Sequence, residues 1–165
     1  MTTTVETLRR SPRHYRVVMG GLVAGALDIV YACTFWAIRA DVPPRRILQS
    51  IAAGLLGPAS FKGGTATAAL GLALHFFIAL CMAAAYAIAA VRWPVLALRP
   101  VACGAAYGLM LYATMNFVVV PLSAAAPGAR DPLWIGASIA AHVVLIGIPI
   151  ALAARAATPR TQERR

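Results

Sequence analysis

The sequence predicts an all-α integral membrane protein, a four-helix bundle with an amphipathic interfacial helix in its first loop. Three observations lead there. The 165 residues are 61% hydrophobic and have a mean hydropathy of +0.76, whereas soluble domains are roughly 45–50% apolar. Charged residues make up 12% and are segregated: Asp, Glu, Lys and Arg are absent from Gly63 to Val91, from Pro100 to Ala129 and from Pro132 to Ala154. Each run exceeds the ~20 residues that cross ~30 Å of hydrocarbon. A fourth segment, Val17 to Ile38, is also long enough, and Asp28 is its only formal charge.

Taken in order, residues 1–16 form a basic cytoplasmic segment that includes Arg9, Arg10, Arg13 and Arg16. Residues 1–10 read as polar and disordered. Ser11 and Pro12 read as N-cap and first helical position. The transmembrane domain covers 17–154, with spans at about 17–38, 65–91, 100–120 and 132–154. Trp36 falls near the far end of the first span, where an aromatic belt residue belongs. Pro43-Pro44 opens a helix over about 44–56 that closes on Gly57-Pro58. Ile47, Leu48, Ile51 and Leu55 share one of its faces, and Arg45, Arg46 and Gln49 lie away from it. Such a helix suits the membrane interface, or serves as a connector packed on the bundle.

Gly63-Gly64 turns the chain into the second span, which ends at Arg92-Trp93-Pro94. Pro121 follows the third span, and Pro127-Gly128 marks a short loop. Asp131-Pro132 reads as a second N-cap and first-turn proline. Pro149 lies inside the fourth span, where it removes a backbone hydrogen bond and predicts a kink. A basic tail occupies 155–165.

The net charge of +10 does not make this a nucleic-acid protein. The arginines flank apolar spans, where they set orientation and meet anionic lipid head groups, and no nucleic-acid motif accompanies them. Ten of the fifteen Lys and Arg residues fall in the N-terminus, the 91–100 loop and the C-terminus, so the positive-inside rule puts both termini in the cytoplasm. Cys33, Cys81 and Cys103 lie within apolar spans without CxxC or zinc spacing; they read as small apolar side chains. Val30-Tyr-Ala-Cys33 is similar to a lipoprotein cleavage box, but Asp28 would interrupt its apolar signal core, which argues against that and against a cleaved signal peptide.

Small residues recur at helical spacing: Gly21 and Gly25 ahead of Asp28, Gly71 ahead of His75, Gly104 with Gly108, and Gly136 with Gly147. In lipid such stripes let helices approach closely, so Gly21, Gly25, Gly71, Gly104, Gly108 and Gly136 are the expected packing glycines. The stripes turn Asp28 and His75 inward. Gly21-x-x-x-Gly25 parallels Gly104-x-x-x-Gly108, and Gly71 to His75 parallels Ser138 to His142, which suggests two similar hairpins.

An acid at the bilayer centre costs about 2.5–3.5 kcal/mol on insertion scales, so it faces the bundle and has a partner. From the helical rise, Asp28 lies roughly 16 Å from the inner end of its span, and His75 and His142 lie roughly 15 Å from the outer ends of theirs. These three fall near one level. Asn116 lies nearer the outer surface, and Tyr31, Tyr107 and Tyr112 bring hydroxyls within reach. The candidate polar layer is Asp28, His75, His142, Asn116, Tyr31 and Tyr112. It reads as a hydrogen-bonded plug that fixes helix register, as a proton or cation site, or as a two-histidine, one-carboxylate metal site. The metal reading lacks HxxxH or ExxH spacing, and no residues stand out as catalytic: there is no GxSxG and no polar loop rich in acids, histidines or serines.

The segment Gly21-Leu-Val-Ala-Gly25, with His75, Pro121 and His142, resembles a group of small bacterial four-helix inner-membrane proteins that in turn weakly resemble the YagU family. The likeness covers most of the four spans. It implies a bacterial inner-membrane location and no established reaction. This chain departs from the group at Asp28 and in a shorter first loop, so the resemblance gives Asp28 no role. The functional expectation is a polytopic, non-enzymatic inner-membrane protein with a buried Asp/His layer. The alternatives are a small proton- or cation-coupled transporter and a metal-dependent membrane enzyme. Lipid is the expected partner, a homodimer is an open alternative, and no cofactor or resident metal is expected.

Overall fold

The computed structural model describes residues 13–126 and 131–158. Ser11-Pro12, Pro127-Gly128 and most of both tails lie outside them. Strand is absent among the described residues, and 91% of them are helical. Six helices follow in order: α1 Arg13–Ala40, α2 Pro44–Leu56, α3 Gly64–Arg92, the short α4 Val95–Leu98, α5 Pro100–Leu122 and α6 Pro132–Ala157. A 3₁₀ segment, Gly57–Lys62, joins α2 to α3. Four of the helices, α1, α3, α5 and α6, are long and apolar enough to cross a membrane. Their outward surfaces carry large apolar groups in the open: Ile38 and Leu122 are each 83% exposed.

Local chemistry sets the boundaries. Proline occupies the first turn of α2, α5 and α6, where its missing N–H costs nothing. Asp131 caps α6 as its spacing predicts, accepting from the Leu133 N–H at 2.8 Å. Gly57 at φ 57° and Gly64 at φ 60° turn the chain at either end of the 3₁₀ segment, a conformation that glycine adopts freely.

Helices α1 and α3 pack together, α1 packs on α6, and α5 rests mainly on α6. The first and last described helices meet at one end, where the Arg16 guanidinium donates to the Ala156 carbonyl. Toward that end lies the core: Ala24, Ala83, Tyr86, Leu111, Ile150 and Ala151 are all buried. A methyl group on Gly21 would sit 3.1 Å from the Ala83 Cβ, and one on Gly25 3.1 Å from the Ala79 Cβ. On Gly108 it would overlap the His142 backbone, and on Gly147 the Gly104 carbonyl. These glycines are therefore seams between helix backbones. Gly136 is the exception to the sequence reading, since nothing lies within 4 Å of its Cβ position among the described residues. The contact expected of it belongs to Gly147, about three turns nearer the core.

The α5–α6 seam holds a register problem and its solution. Gly104 and Gly108 are four apart, but their partners Gly147 and His142 are five apart. Over His142–Gly147 the helix widens to π geometry, and the Ile148 N–H reaches back to the Val143 carbonyl. The wide turn absorbs the extra residue. It ends two residues before Pro149, whose ring would collide with an ordinary fourth-preceding carbonyl. The same device recurs in α5: Met115–Val119 is π-helical, the Val120 N–H bonds the Met115 carbonyl, and Pro121 follows. The kink expected at Pro149 is thus expressed as a wide turn ahead of the proline.

Helix α2 corrects a second expectation. Gln49, read as lying away from the packed face, is 3% exposed. Its Nε2 donates to the Gly64 carbonyl at 3.0 Å and to Thr67 Oγ1 at 3.3 Å. Ala52 and Ala53 are buried beside it, and Leu55 is 65% exposed. The face that packs on α3 is the small one, because Gly71 lets the α2 backbone approach: a methyl on Gly71 would overlap the Leu48 carbonyl.

Candidate functional site

A cavity of about 280 Å³ opens between the helices in the half away from the termini. Asp28 on α1, His75 on α3, Asn116 on α5 and His142 on α6 all line it. Each arrives there by a local cause. Gly25 lets α3 close on α1 one turn before Asp28. Gly71 seats α2 on α3 one turn before His75. Asn116 and His142 sit in the two π turns, where the winding is loosened. Helix α2 closes one wall with Ile47, Ser50 and Ile51. At its C-terminal end the Gly54 carbonyl accepts from the Ala124 N–H at 3.0 Å, which ties α2 to the end of α5. Below the cavity the wall is closed by a Tyr86–Tyr107 edge-to-face pair at 4.9 Å and by Tyr107 Oη donating to the Met82 carbonyl at 2.8 Å.

Both histidines are anchored through one ring nitrogen. His75 Nε2 donates to the Gly25 carbonyl at 2.8 Å, and His142 Nδ1 donates to the Ser138 carbonyl at 2.9 Å. A carbonyl can only accept, so the proton on each of these nitrogens is fixed. The other nitrogen of each ring is left to accept a proton. Asp28 is half-buried and shares the cavity wall with both rings. Among the described residues it makes no hydrogen bond. The three groups thus share a cavity without bonding one another. No three His, Cys, Asp or Glu side chains among the described residues lie close enough together to hold a metal ion.

The tyrosines of the expected layer stand just behind the cavity wall. Tyr31 stacks on Trp134, with centroids 5.9 Å apart and planes 7° from parallel, and its hydroxyl is buried without a partner. Tyr112 sets its ring edge against His142 at 5.4 Å. Asn116, though on the cavity, spends its Nδ2 on the Tyr112 carbonyl at 2.9 Å. Sequence reasoning missed Trp134 and Ser138, and took Trp36 for a belt residue only; all three line the cavity. The signal was present as spacing. Trp134, Ser138 and His142 are four apart on one face of α6, and Trp36 lies eight residues beyond Asp28.

The two hairpins match at this level. In α1–α3, His75 meets Gly25; in α5–α6, the His142 backbone meets Gly108. Counting three residues on from each glycine gives Asp28 in one hairpin and the buried Leu111 in the other. The acid is therefore the feature that the two do not share. No family model, curated protein or solved structure matches the chain.

Proposed function

We propose that this protein spans a bacterial inner membrane four times as a compact bundle, with both termini cytoplasmic, and binds a cation or proton in the cavity at Asp28. The observation that carries the reading is a carboxyl group on a cavity at membrane depth with no hydrogen-bond partner among the described residues. A plug would have joined Asp28 to a histidine or tyrosine. Here the histidines are bonded to backbone carbonyls and a space lies between the groups. An acid held at that depth is costly unless it is neutralised, and a positively charged occupant or a proton supplies the neutralisation. Both imidazoles retain a nitrogen that can take up or release that proton. Exchange between Asp28 and the rings as the occupant enters or leaves gives a small proton- or cation-coupled carrier, a binding role rather than covalent chemistry.

Reconstituted vesicles containing a pH-sensitive dye provide the test. An imposed sodium or potassium gradient, or a pH step, should give a protein-dependent proton signal that Asp28→Asn abolishes. Identical signals from native protein and Asp28→Asn would refute the reading.

A further inference from the structure

We infer that the cavity's occupant is a small organic ammonium ion, held by the Asp28 carboxylate and the indoles of Trp36 and Trp134. This rests on the cation-binding reading above and narrows it to one ligand class. Three features of the wall point the same way.

The first is its donor set. A bare metal cation needs several converging oxygens, six to eight for a calcium-sized ion. The side-chain oxygens here belong to Asp28, Ser50, Asn116 and Ser138, which come from four helices around the cavity. Most of the remaining lining is aliphatic or thioether, with Ile47, Ile51, Ile78, Met82 and Met115 prominent. That wall suits carbon on the occupant, not a hydration shell.

The second feature is aromatic. Trp36 and Trp134 both line the cavity, with centroids 5.2 Å apart and planes inclined at 49°. The two indoles pack with Tyr31 and Phe35 into one aromatic cluster that borders the cavity, and tryptophan is the best ring for holding a cation through its π-system. Alkylated ammonium ions, whose charge is spread over carbon, are recognised by aromatic walls. The third feature is volume. About 280 Å³ leaves room for an occupant larger than a bare metal ion, such as tetraethylammonium.

The sign of the pH response follows from the groups that face Asp28. His75 from α3 and His142 from α6 share the cavity wall with Asp28, and α2 and α5 contribute Ser50 and Asn116, which do not titrate. A proton added to the Asp28 carboxylate removes the negative charge that holds the ammonium, so binding weakens as pH falls.

The full chain in detergent micelles, titrated with tetraethylammonium, tests this. Trp93 is the third tryptophan of the sequence and sits at the opposite end, so a Trp93→Phe background confines the fluorescence signal to the two cavity indoles. Saturable quenching is expected, confirmed by calorimetry. Asp28→Asn should weaken binding at least tenfold. Ile78→Phe, which fills the cavity without changing charge, should do the same and covers the case in which the first variant fails to fold. Ile78→Phe binding tetraethylammonium as tightly as the native protein would overturn the cavity as the site. Absence of saturable tetraethylammonium binding, together with an Asp28-dependent proton signal in vesicles, would overturn the ligand class and leave the cation reading standing. No dependence on Asp28 in either assay would overturn both.

Discussion

The half of the molecule that holds the termini and the half that holds α2 are built from the same four long helices, yet they differ in how those helices meet. On the terminal side, glycines and alanines bring backbones together, and Tyr86, 2% exposed, is buried in the core among them. On the other side α2 packs on α3 and is tied to the end of α5, and a largely apolar cavity carrying Asp28 and the two histidines remains. Small residues are present in both halves, so they do not decide the outcome. The difference is what they face. Gly104 and Gly147 face each other's backbone, whereas Gly71 faces α2. A seam between spanning helices closes the protein; a seam used to seat a short helix holds it open.

The largest expected effect comes from forcing the closed half apart. Gly147→Val places side-chain carbon on the Gly104 carbonyl and the Gly108 amide. Overpacking costs about 1–3 kcal/mol in well-filled cores, occasionally more, and rigid backbone on both sides puts this case at the upper end. Detergent unfolding should show it, and an unchanged midpoint would mean that the two helices do not meet there. Next comes Asp28→Asn in the open half. Its thermal midpoint should hold or rise while tetraethylammonium affinity drops at least tenfold, about 1.4 kcal/mol. A clear fall in stability would make Asp28 a structural member and erase the functional contrast between the halves. Tyr107→Phe removes one hydrogen bond beneath the cavity and should cost about 0.5–1.5 kcal/mol, with binding intact. A loss of binding in that variant would place the boundary between the halves too low. Gly136→Ala should change stability by less than about 0.5 kcal/mol, because its side chain would meet open space. A larger loss would point to a second copy of the chain lying against that face.

Much of this was legible in the residues. Charge-free runs located the four long helices to within a few positions, and Asp131-Pro132 and Pro43-Pro44 marked two helix starts. The shared level of Asp28, His75 and His142 followed from counting the helical rise. Other features were not legible, for physical reasons. Hydropathy ranks Ile47 and Leu55 above Ala52 and Ala53, so it did not mark the small side of α2 that packs on α3; close backbone approach favours that side. Gln49 looked like a surface residue because its partner, the Gly64 carbonyl, is a backbone group with no residue signature. The bond from His75 to the Gly25 carbonyl was hidden for the same reason. Prolines at 121 and 149 announced irregular helices but not the form of the irregularity, which depends on what the neighbouring helix must match.

The wide turn in α6 determines more than its own hydrogen bonds. Taking out one residue, Val143, would restore ordinary winding and leave the segments on either side in phase, because the wide turn takes up one surplus residue. Gly147 and His142 would then stand four apart, as Gly104 and Gly108 do. The cost falls at Pro149, whose ring would meet the carbonyl four residues before it. A shortened chain of that kind would keep Trp134, Ser138 and His142 on the cavity side and lose the loosened turn that holds the histidine.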